Sequence, residues 1–323
     1  MDIAKERALW QKELIGKFIK VPKIYPVCNH GAIYLINQEN EINPILGKCN
    51  SYKCNYNLYL RKGTIFEFHK HTPASVLYNI IILWIHEELN VKKITEKLNQ
   101  IYTPRTIDKR VVYSFLINLR IAIANYIRNI YSLDPLAYKN ANQFIAVDES
   151  LFTHNQGHQQ WVVGLINTET NDFRIELVDS RDQTTLKNII TKHVLIGNSI
   201  VSDSWSGYNF LNAPNSGYNH IVHNHSRGNF GTGLESTSRI ESIWGQLKFK
   251  IKNLYHSIPS KNFVYFLREA EYRLRIKNLN KYQKLEDLSI LLSIVGNGLN
   301  NEYLSEENLK NIDYDTLFDE DEE

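Results

Sequence analysis

Cysteine is scarce in this sequence, with three residues among 323. All three, Cys28, Cys49 and Cys54, lie near the amino terminus. An odd number of cysteines cannot pair completely within one chain, so a disulfide framework of the kind found in small secreted domains is not expected. A chain of this length has no need of one, because it can bury a large core. A metal site is the better interpretation of the three thiols.

Long apolar runs are also missing. The mostly apolar stretch at residues 76–85 is shorter than the roughly 20 residues that cross a bilayer, and charged residues follow it at once. The first 20 residues mix charged and apolar side chains and lack the basic start and apolar block of a secretory signal. We therefore expect a protein that lies inside the cell and has no membrane partner.

The net charge of +2 hides an uneven distribution along the chain. Lys and Arg outnumber Asp and Glu by 19 to 11 in residues 1–134 and by 17 to 14 in residues 135–300, whereas residues 301–323 have 1 basic and 10 acidic residues. A basic amino-terminal third is typical of a surface that contacts phosphates. The acidic tail could compete for that surface within the molecule, or it could be a solvated tail without a role.

Changes in residue pattern divide the chain into five segments. We predict an N-terminal helix at 1–23, a small metal-stapled β ribbon at 24–71, a helical region at 72–134, an α/β domain at 135–300 and an acidic tail at 301–323. Within the ribbon, the short β-rich runs are residues 32–36 and 58–61.

The helical region shows three segments with apolar residues at helical spacing. The third is expected to open with Thr103 as N-cap and Pro104 as the first helical residue. Three helices with a short turn before the last favour a helix-turn-helix, and Arg105, Lys109 and Arg110 at the start of the third helix favour contact with DNA. The alternative is a helical spacer without a DNA-binding role.

The α/β domain begins with short apolar runs that are typical of strands. They are residues 144–147, 161–166, 173–178 and 200–202, with a helical stretch at 184–194 before the fourth. A last strand at 220–223 and an amphipathic helix at 238–254 complete the unit. Three neighbouring strands, a crossover helix and a further strand predict a mixed sheet with flanking helices.

Two aspartates stand directly after predicted strands of this sheet. Asp148 follows residues 144–147, and Asp203 follows residues 200–202, so the two carboxylates can face each other across one site. Carboxylates are the ligands that Mg²⁺ prefers, and two divalent cations are suited to cutting and joining phosphodiesters. For either aspartate alone, a turn residue that ends a strand is the favoured explanation.

Glu241 lies on the helix that follows the last predicted strand, and Lys248 is two turns further along nearly the same face. A third metal-binding carboxylate with a phosphate-binding lysine beyond it is one interpretation. The other is a capping box formed by Ser238 and Glu241, in which the glutamate only satisfies the start of the helix. His154 and His158 are four apart, but they fall in a predicted loop and are weak candidates for metal ligands.

Residues 144–275 resemble the transposases of the Merlin superfamily and their bacterial insertion-sequence relatives, which have a DDE catalytic domain with a ribonuclease-H-like fold. The matching segments are 147–150 (VDES), 161–164 (WVVG), 181–190, 197–205 (GNSIVSDSW) with Tyr208, 224–226 (NHS) and 237–248. Two departures are His223, where the family usually has Val, and Ser238 with Arg239, which replace a more usual Asn or Gln pair.

The resemblance implies that Asp148, Asp203 and Glu241 hold Mg²⁺ or Mn²⁺ and that Lys248 contacts DNA. It also places a Glu and Arg pair of the family at Glu269 and Arg273, with Arg273 as a further DNA contact. Glu271 and Arg275 form a competing pair, and a surface salt bridge explains either pair equally well.

Relatives also carry a zinc ribbon with two cysteine pairs. Cys49 and Cys54 match the second pair, whereas Tyr25 stands where the first pair begins, so His30 is the candidate fourth ligand beside Cys28 for Zn²⁺. The alternative is a ribbon that has lost its metal.

The resemblance thus implies a DNA transposase that cuts and joins double-stranded DNA at terminal inverted repeats, acts as a homodimer or larger homo-oligomer, and resides in the nucleus if the host is eukaryotic. Two other hypotheses remain open: a domesticated DNA-binding protein that no longer transposes, and a ribonuclease-H-like nuclease that cuts without joining.

Overall fold

A computed structural model describes most of the chain between residues 64 and 296. The described residues are 18, 28–29, 33–36, 46–51, 54, 57–59, 61, 64–69, 71–133, 142–153, 159–223, 231–255, 258 and 262–296. Apart from Phe18, the predicted helix at 1–23 lies outside these residues, as do the acidic tail, His30, His154 and His158. The chain forms two compact units, one of residues 1–126 and 276–323 and the other of residues 127–275.

The first unit contains a small antiparallel sheet of three strands in the order β1-β2-β3. The strands are β1 (Ile33–Ile36), β2 (Leu46–Cys49) and β3 (Asn57–Tyr59). Each strand pairs with its neighbour in sequence, and Cys49 ends β2 opposite Ile33. The β-rich runs therefore do form strands, with β2 added between them.

Three helices follow the small sheet: α1 (Ala74–Glu87), α2 (Val91–Ile101) and α3 (Lys109–Leu133). The Asn90 side chain caps α2 by accepting a hydrogen bond from the backbone N–H of Lys93. The predicted start of α3 at Pro104 is wrong, because the helix begins five residues later. Residues between the helices form a turn in which Asn99 accepts from the Ile107 N–H, and Asp108 accepts from the Arg110 N–H at the helix start.

The last described helix, α7 (Lys281–Gly296), belongs to the first unit, although the sequence grouped it with the α/β domain. Its buried leucines are Leu285, Leu288, Leu291 and Leu292. It contacts α1 of the same unit. Burial of this leucine face against α1 explains why α7 groups with the helical region and not with the sheet that precedes it in the chain.

The second unit is built on a sheet of five strands in the order β6-β5-β4-β7-β8. The strands are β4 (Phe144–Thr153), β5 (Gln159–Asn167), β6 (Phe173–Val178), β7 (Ser199–Asp203) and β8 (Asn219–His223). β4 pairs antiparallel with β5 and parallel with β7, and β7 pairs parallel with β8. This order and these directions are those of a ribonuclease-H-like fold, which confirms the predicted fold class.

Different helices cover the two faces of this sheet. One face packs Ile145, Val147 and Ile200 against α4 (Gln183–His193) and a 3-10 helix at Ser206–Asn212. The opposite face contacts α5 (Ser238–Leu254), and α6 (Phe263–Arg275) packs beside α5. Because side chains alternate along a strand, Ala146, Asp148 and Ser150 point to the α5 face, whereas Glu149 points to the α4 face.

None of the helices that the structure describes combines the length and the apolar character that crossing a bilayer requires.

Candidate metal and DNA-cleavage site

Asp148 and Asp203 lie side by side on the α5 face of the sheet. The parallel register pairs Ala146 on β4 with Val201 on β7, and two residues further along each chain are Asp148 and Asp203. Residues that are aligned in a parallel pair point to the same face of the sheet, so both carboxylates project toward α5. Asp203 ends β7 as expected, but Asp148 lies in the middle of β4, because that strand continues beyond it paired with β5.

Glu241 joins this pair from the first turn of α5. Burial is the main cause that raises the pKa of Asp148 above its ordinary value, and the negative charges of Asp203 and Glu241 raise it further. Hydrogen bonds from Trp244 and from the backbone of Glu149 act in the opposite direction. Asp203 and Glu241 are thus each close enough to Asp148 for their charges to act on its carboxylate.

The capping box predicted for Ser238 and Glu241 does not describe the start of α5. The N-cap is Thr237, and its hydroxyl donates a hydrogen bond of 2.9 Å to Glu241 Oε1. Glu241 is therefore the fourth residue after the N-cap and not the third, as a capping box requires. Its side chain is exposed, so a cation can reach this carboxylate from the solvent.

Trp244 fixes the orientation of Asp148. The indole Nε1 donates a hydrogen bond of 2.9 Å to Asp148 Oδ2. The ring lies over Gly164, which pairs with Asp148 across β4 and β5, and a Cβ at position 164 would lie 2.5 Å from two ring carbons of Trp244. Glycine is needed here because no side chain fits between the strand and the indole.

A fourth carboxylate, Glu149, lies next to the site on the α4 face, and sequence reasoning did not single it out. Burial is the main cause that raises its pKa to about 7, while an interaction with the Tyr208 hydroxyl lowers it. The buried Tyr208 has its own pKa raised well above the ordinary value, first by burial and then by the charge of Glu149. The only sequence signal for Glu149 was its position next to Asp148. Because side chains alternate along a strand, however, Glu149 points to the α4 face, opposite to Asp148.

Arg181 forms a second feature that the sequence did not reveal. Its guanidinium carbon lies 4.5 Å from the ring centroid of Trp161 and 4.1 Å from that of Trp205. Trp205 follows Asp203 by two residues, and its backbone N–H donates to Asp203 Oδ1 at 2.9 Å. The guanidinium therefore packs against two indoles, and its positive charge acts on Glu149 on the α4 face.

The predicted DNA contacts of the second unit differ in accessibility. Lys248 is exposed on α5, and its Nζ lies 5.3 Å from the ring centroid of Phe152. Arg273 is 2% exposed, and its Nε donates to Glu269 Oε1 at 2.9 Å. The prediction that Arg273 contacts DNA is thus wrong for this structure, because its side chain has no surface to offer.

Both glutamate–arginine pairs of α6 form, and neither is the surface salt bridge that we expected as the simple alternative. Glu269 pairs with Arg273, and Glu271 pairs with Arg275 at 2.9 Å. Arg268 adds a third contact by donating to Glu271 and to the backbone oxygen of Ile175 on β6. The buried Glu271 thus helps to attach α6 to the sheet.

Of the three basic residues predicted at the start of α3, two are fully accessible to a nucleic acid. Arg105 in the turn and Arg110 are exposed, and Lys109 is half-buried. This placement agrees with a contact surface, although α3 begins later than predicted.

Three thiols meet in the first unit. The Sγ atoms of Cys28, Cys49 and Cys54 all lie within 4.8 Å of one another. Cys28 Sγ lies 3.5 Å from Cys49 Sγ, and the Ser51 N–H donates to Cys49 Sγ. Three sulfur donors of a tetrahedral site are therefore assembled, which fits zinc. The proposed fourth ligand, His30, lies outside the described residues.

The donor set of the carboxylate site fits a hard divalent cation. Oxygen atoms of Asp148, Asp203 and Glu241 are the ligands that Mg²⁺ and Mn²⁺ take. Burial first, and then the charges of Asp203 and Glu241, raise the pKa of Asp148, and a cation among the three carboxylates would offset both effects. Chemically, the arrangement can therefore support metal-dependent reactions at phosphodiesters.

Residues 142–275 match the protein family described as the ISXO2-like transposase domain. The match supports a relationship between this part of the chain and the DDE transposases. No curated protein is similar enough in sequence to match the chain.

Several solved retroviral integrases show a similarity to this chain. The HTLV-2 integrase catalytic core domain, in complex with magnesium in a trimeric form, is 11% identical over 49% of this chain and 85% of its own, with a TM-score of 0.26. The catalytic core domain of BIV integrase is 11% identical over 45% of this chain and 93% of its own, with a TM-score of 0.31. A chain of the simian T-cell lymphotropic virus intasome, in complex with PP2A regulatory subunit B56 gamma, is 10% identical over 42% of this chain and 51% of its own, with a TM-score of 0.29.

Proposed function

We propose that the chain is a DDE transposase of the Merlin type that cuts and joins double-stranded DNA at terminal inverted repeats. The observation that carries this proposal is the convergence of Asp148, Asp203 and Glu241 on one face of a ribonuclease-H-like sheet. The match of residues 142–275 to a transposase domain supports it.

In the proposed reaction, each residue has a separate task. Asp148 and Asp203 would hold two divalent cations and Glu241 would complete the site, while Trp244 keeps Asp148 in position through its hydrogen bond. When bound, the cations supply an activated oxygen nucleophile and stabilise the leaving oxygen. Water attacks the phosphorus at the end of the element and the 3′-oxygen leaves; the freed 3′-hydroxyl then attacks a target phosphodiester and releases its 3′-oxygen. Lys248, exposed on the same helix as Glu241, would bind a phosphate.

Recognition of the DNA ends is proposed for the helices of the first unit. Residues 102–108 connect α2 to α3, and α3 starts with Lys109 and Arg110. In a helix-turn-helix, residues near the start of the recognition helix contact the major groove. Because a transposase has two inverted repeats to bind, we also propose a homodimer or larger assembly. Its DNA substrate favours a nuclear location if the host is eukaryotic.

For the small sheet we propose a structural Zn²⁺ bound by Cys28, Cys49 and Cys54, with His30 as the fourth ligand. The clustering of three thiols supports the metal. Purified protein should contain close to one zinc per chain by elemental analysis, and Cys49→Ser should lose it. Zinc content unchanged in Cys49→Ser would refute the site.

A strand-transfer assay tests the proposed function. Purified protein, Mg²⁺ or Mn²⁺, and duplexes with the inverted repeats that flank the gene should give joined products, and Asp203→Ala should give none. Cleavage without joining would favour a ribonuclease-H-like nuclease. Sequence-specific binding without cleavage would favour a domesticated DNA-binding protein.

A further inference from the structure

His223 ends strand β8 directly beside the candidate metal site. In the parallel register of β7 and β8, His223 pairs with Asp203. Paired residues of parallel strands share a face of the sheet, and neighbouring strands are about 5 Å apart. The imidazole therefore projects from the same face as Asp148 and Asp203, one strand beyond Asp203.

The ring of His223 is buried and its polar atoms are unsatisfied. The residue is 8% exposed, and among the residues that the structure describes neither its Nδ1 nor its Nε2, both buried, has a hydrogen-bond partner. A buried polar group without a partner is costly, so the ring of His223 calls for an explanation, and a bound ion is one that its chemistry allows.

The other histidine of β8 shows what a structural imidazole looks like in this sheet. His220 lies on the opposite face, where its Nε2 is 2.9 Å from Ser202 Oγ and its Nδ1 is 2.8 Å from Asn212 Oδ1. Both of its ring nitrogens are thus occupied by protein groups. On the metal-site face, the described part of the chain supplies neither nitrogen of His223 with such a group.

The loop before α5 leaves room for the ring. Gly231 has a φ of +70°, and a Cβ there would lie 2.7 Å from His223 Nε2. The same loop leads to Thr237 and Glu241 at the start of α5. The ring is therefore enclosed between the strand of Asp203 and the segment that carries Glu241.

We propose that His223 is an imidazole ligand of the divalent-metal site formed by Asp148, Asp203 and Glu241. This inference rests on the proposed function of that site. Imidazole suits transition metals better than it suits Mg²⁺. The site should therefore prefer Mn²⁺ or Co²⁺ over Mg²⁺ more strongly than a site with valine at this position, which is the usual residue of the relatives.

Pulsed electron paramagnetic resonance of bound Mn²⁺ tests the ligand directly, without DNA or turnover. The full chain with Mn²⁺ should show modulation from a directly bound ¹⁴N nucleus, and His223→Val should lose it. The affinity for Mn²⁺ should fall at least about tenfold in His223→Val, while that for Mg²⁺ changes much less. His220→Gln is the matched control and should keep the ¹⁴N signal and the Mn²⁺ affinity.

The outcomes separate this inference from the proposed function. If Mn²⁺ binds, Asp203→Ala abolishes the binding, and the ¹⁴N signal is absent or survives in His223→Val, the inference is overturned and the carboxylate site stands. If His223→Val weakens Mn²⁺ and Mg²⁺ equally and no ¹⁴N signal exists in the unmodified protein, the histidine only supports the fold and the inference is again overturned. If the unmodified protein binds no Mn²⁺, the proposed function fails as well. As a check on folding, His223→Gln should unfold in urea at a midpoint similar to that of His223→Val.

Discussion

At the scale of single residues, Trp244 determines how Asp148 presents its carboxylate. Its Nε1 hydrogen bond to Oδ2 lowers the pKa of Asp148 against the larger effect of burial, which raises it. Trp244→Phe keeps an aromatic ring but removes the donor, so the pKa of Asp148 should rise further.

A raised pKa makes a proton compete with the metal. We therefore expect Trp244→Phe to weaken Mn²⁺ binding about tenfold at pH 6 and less at pH 8. Isothermal titration at both pH values measures this difference, and Phe249→Leu, an exposed change on the same helix, is the control. An equal loss at the two pH values would contradict the role given to the hydrogen bond.

A second prediction at this scale concerns Gly164. Gly164→Ala should destabilise the protein by about 1 to 3 kcal/mol, because its Cβ would overlap the Trp244 ring and the Ile240 side chain. Gly245→Ala, where no atom lies within 4 Å of the added Cβ, should stabilise α5 slightly. Urea unfolding of the two variants compares a crowded glycine with an open one, and similar effects from both would refute the close approach.

At the scale of elements, Arg268 attaches α6 to the sheet. It donates to Ile175 O at 2.6 Å, to Glu271 at 2.7 Å and to Glu176 at 3.2 Å. Burial alone would raise the pKa of Glu176, but hydrogen bonds from His193 and Lys192 and the charge of Arg268 lower it to about 2.

Removing this cation takes one partner from the buried Glu271, which keeps Arg275, and one from the half-buried Glu176, which keeps Lys192. Arg268→Met should therefore cost about 1.5 to 3 kcal/mol of the free energy of unfolding, because charged hydrogen bonds are lost. Urea denaturation measures the loss. Lys187→Met, an exposed change on α4, should stay within about 0.5 kcal/mol of the unmodified protein. A loss from Arg268→Met no larger than that of the control would contradict the network.

The start of α3 allows a prediction about DNA binding. Arg110→Gln should weaken binding to a duplex with the inverted repeats and reduce the slope of log affinity against log salt by about 1. Fluorescence anisotropy at several salt concentrations measures the slope, with Lys281→Gln on α7 as the control. An unchanged slope in Arg110→Gln would remove this residue from the interface.

The elements also show how far the sequence could predict the fold. Residues 173–178 and 238–254 were predicted with the bounds that the structure has, because each has a clear period and turn residues at both ends. The continuation of β4 past Asp148 was missed, since polar residues interrupt the apolar run and only pairing with β5 keeps the strand extended. The start of α3 was misplaced because Thr103 and Pro104 look like a helix start, whereas the Asn99 side chain organises a turn there.

The residues of the candidate site also divide into those that the sequence could predict and those that it could not. Asp148, Asp203 and Glu241 could be proposed from strand positions and a resemblance, because those depend on local sequence. The hydrogen bond from Trp244, the stacked Arg181 and the buried His223 depend on the register between strands and on contacts between distant segments. The burial of Arg273 also depends on contacts between distant segments, so the sequence could not predict it.

At the scale of the whole molecule, stability should depend on pH through a buried histidine of the first unit. In the first unit, burial is the main cause that lowers the pKa of His69 to about 4, and the charge of Arg61 adds to it. The neutral ring lies 3.2 Å from Asn118 Nδ2. Because the folded pKa is below the ordinary value near 6.5, the stabilising contribution is complete above pH 6.5 and is lost as the pH falls toward 4.

This contribution amounts to about 3 kcal/mol when it is fully lost. The unmodified protein should therefore lose stability between pH 6.5 and 4, and His69→Gln should show a smaller loss over that range. Chemical denaturation at several pH values tests this, with the exposed His71→Gln as control. Identical pH dependence in His69→Gln and the unmodified protein would contradict the buried neutral histidine.

The central claim, that Asp203 holds a catalytic metal together with Asp148 and Glu241, has a direct test in metal-specific rescue. Asp203→Cys offers a softer sulfur ligand, which Mn²⁺ tolerates better than Mg²⁺ does. Cleavage of inverted-repeat DNA by this variant should be lost in Mg²⁺ and partly restored in Mn²⁺, whereas the exposed Asp179→Cys should keep the ratio of the unmodified protein. Equal activity of Asp203→Cys in the two metals, whether high or absent, would contradict the account.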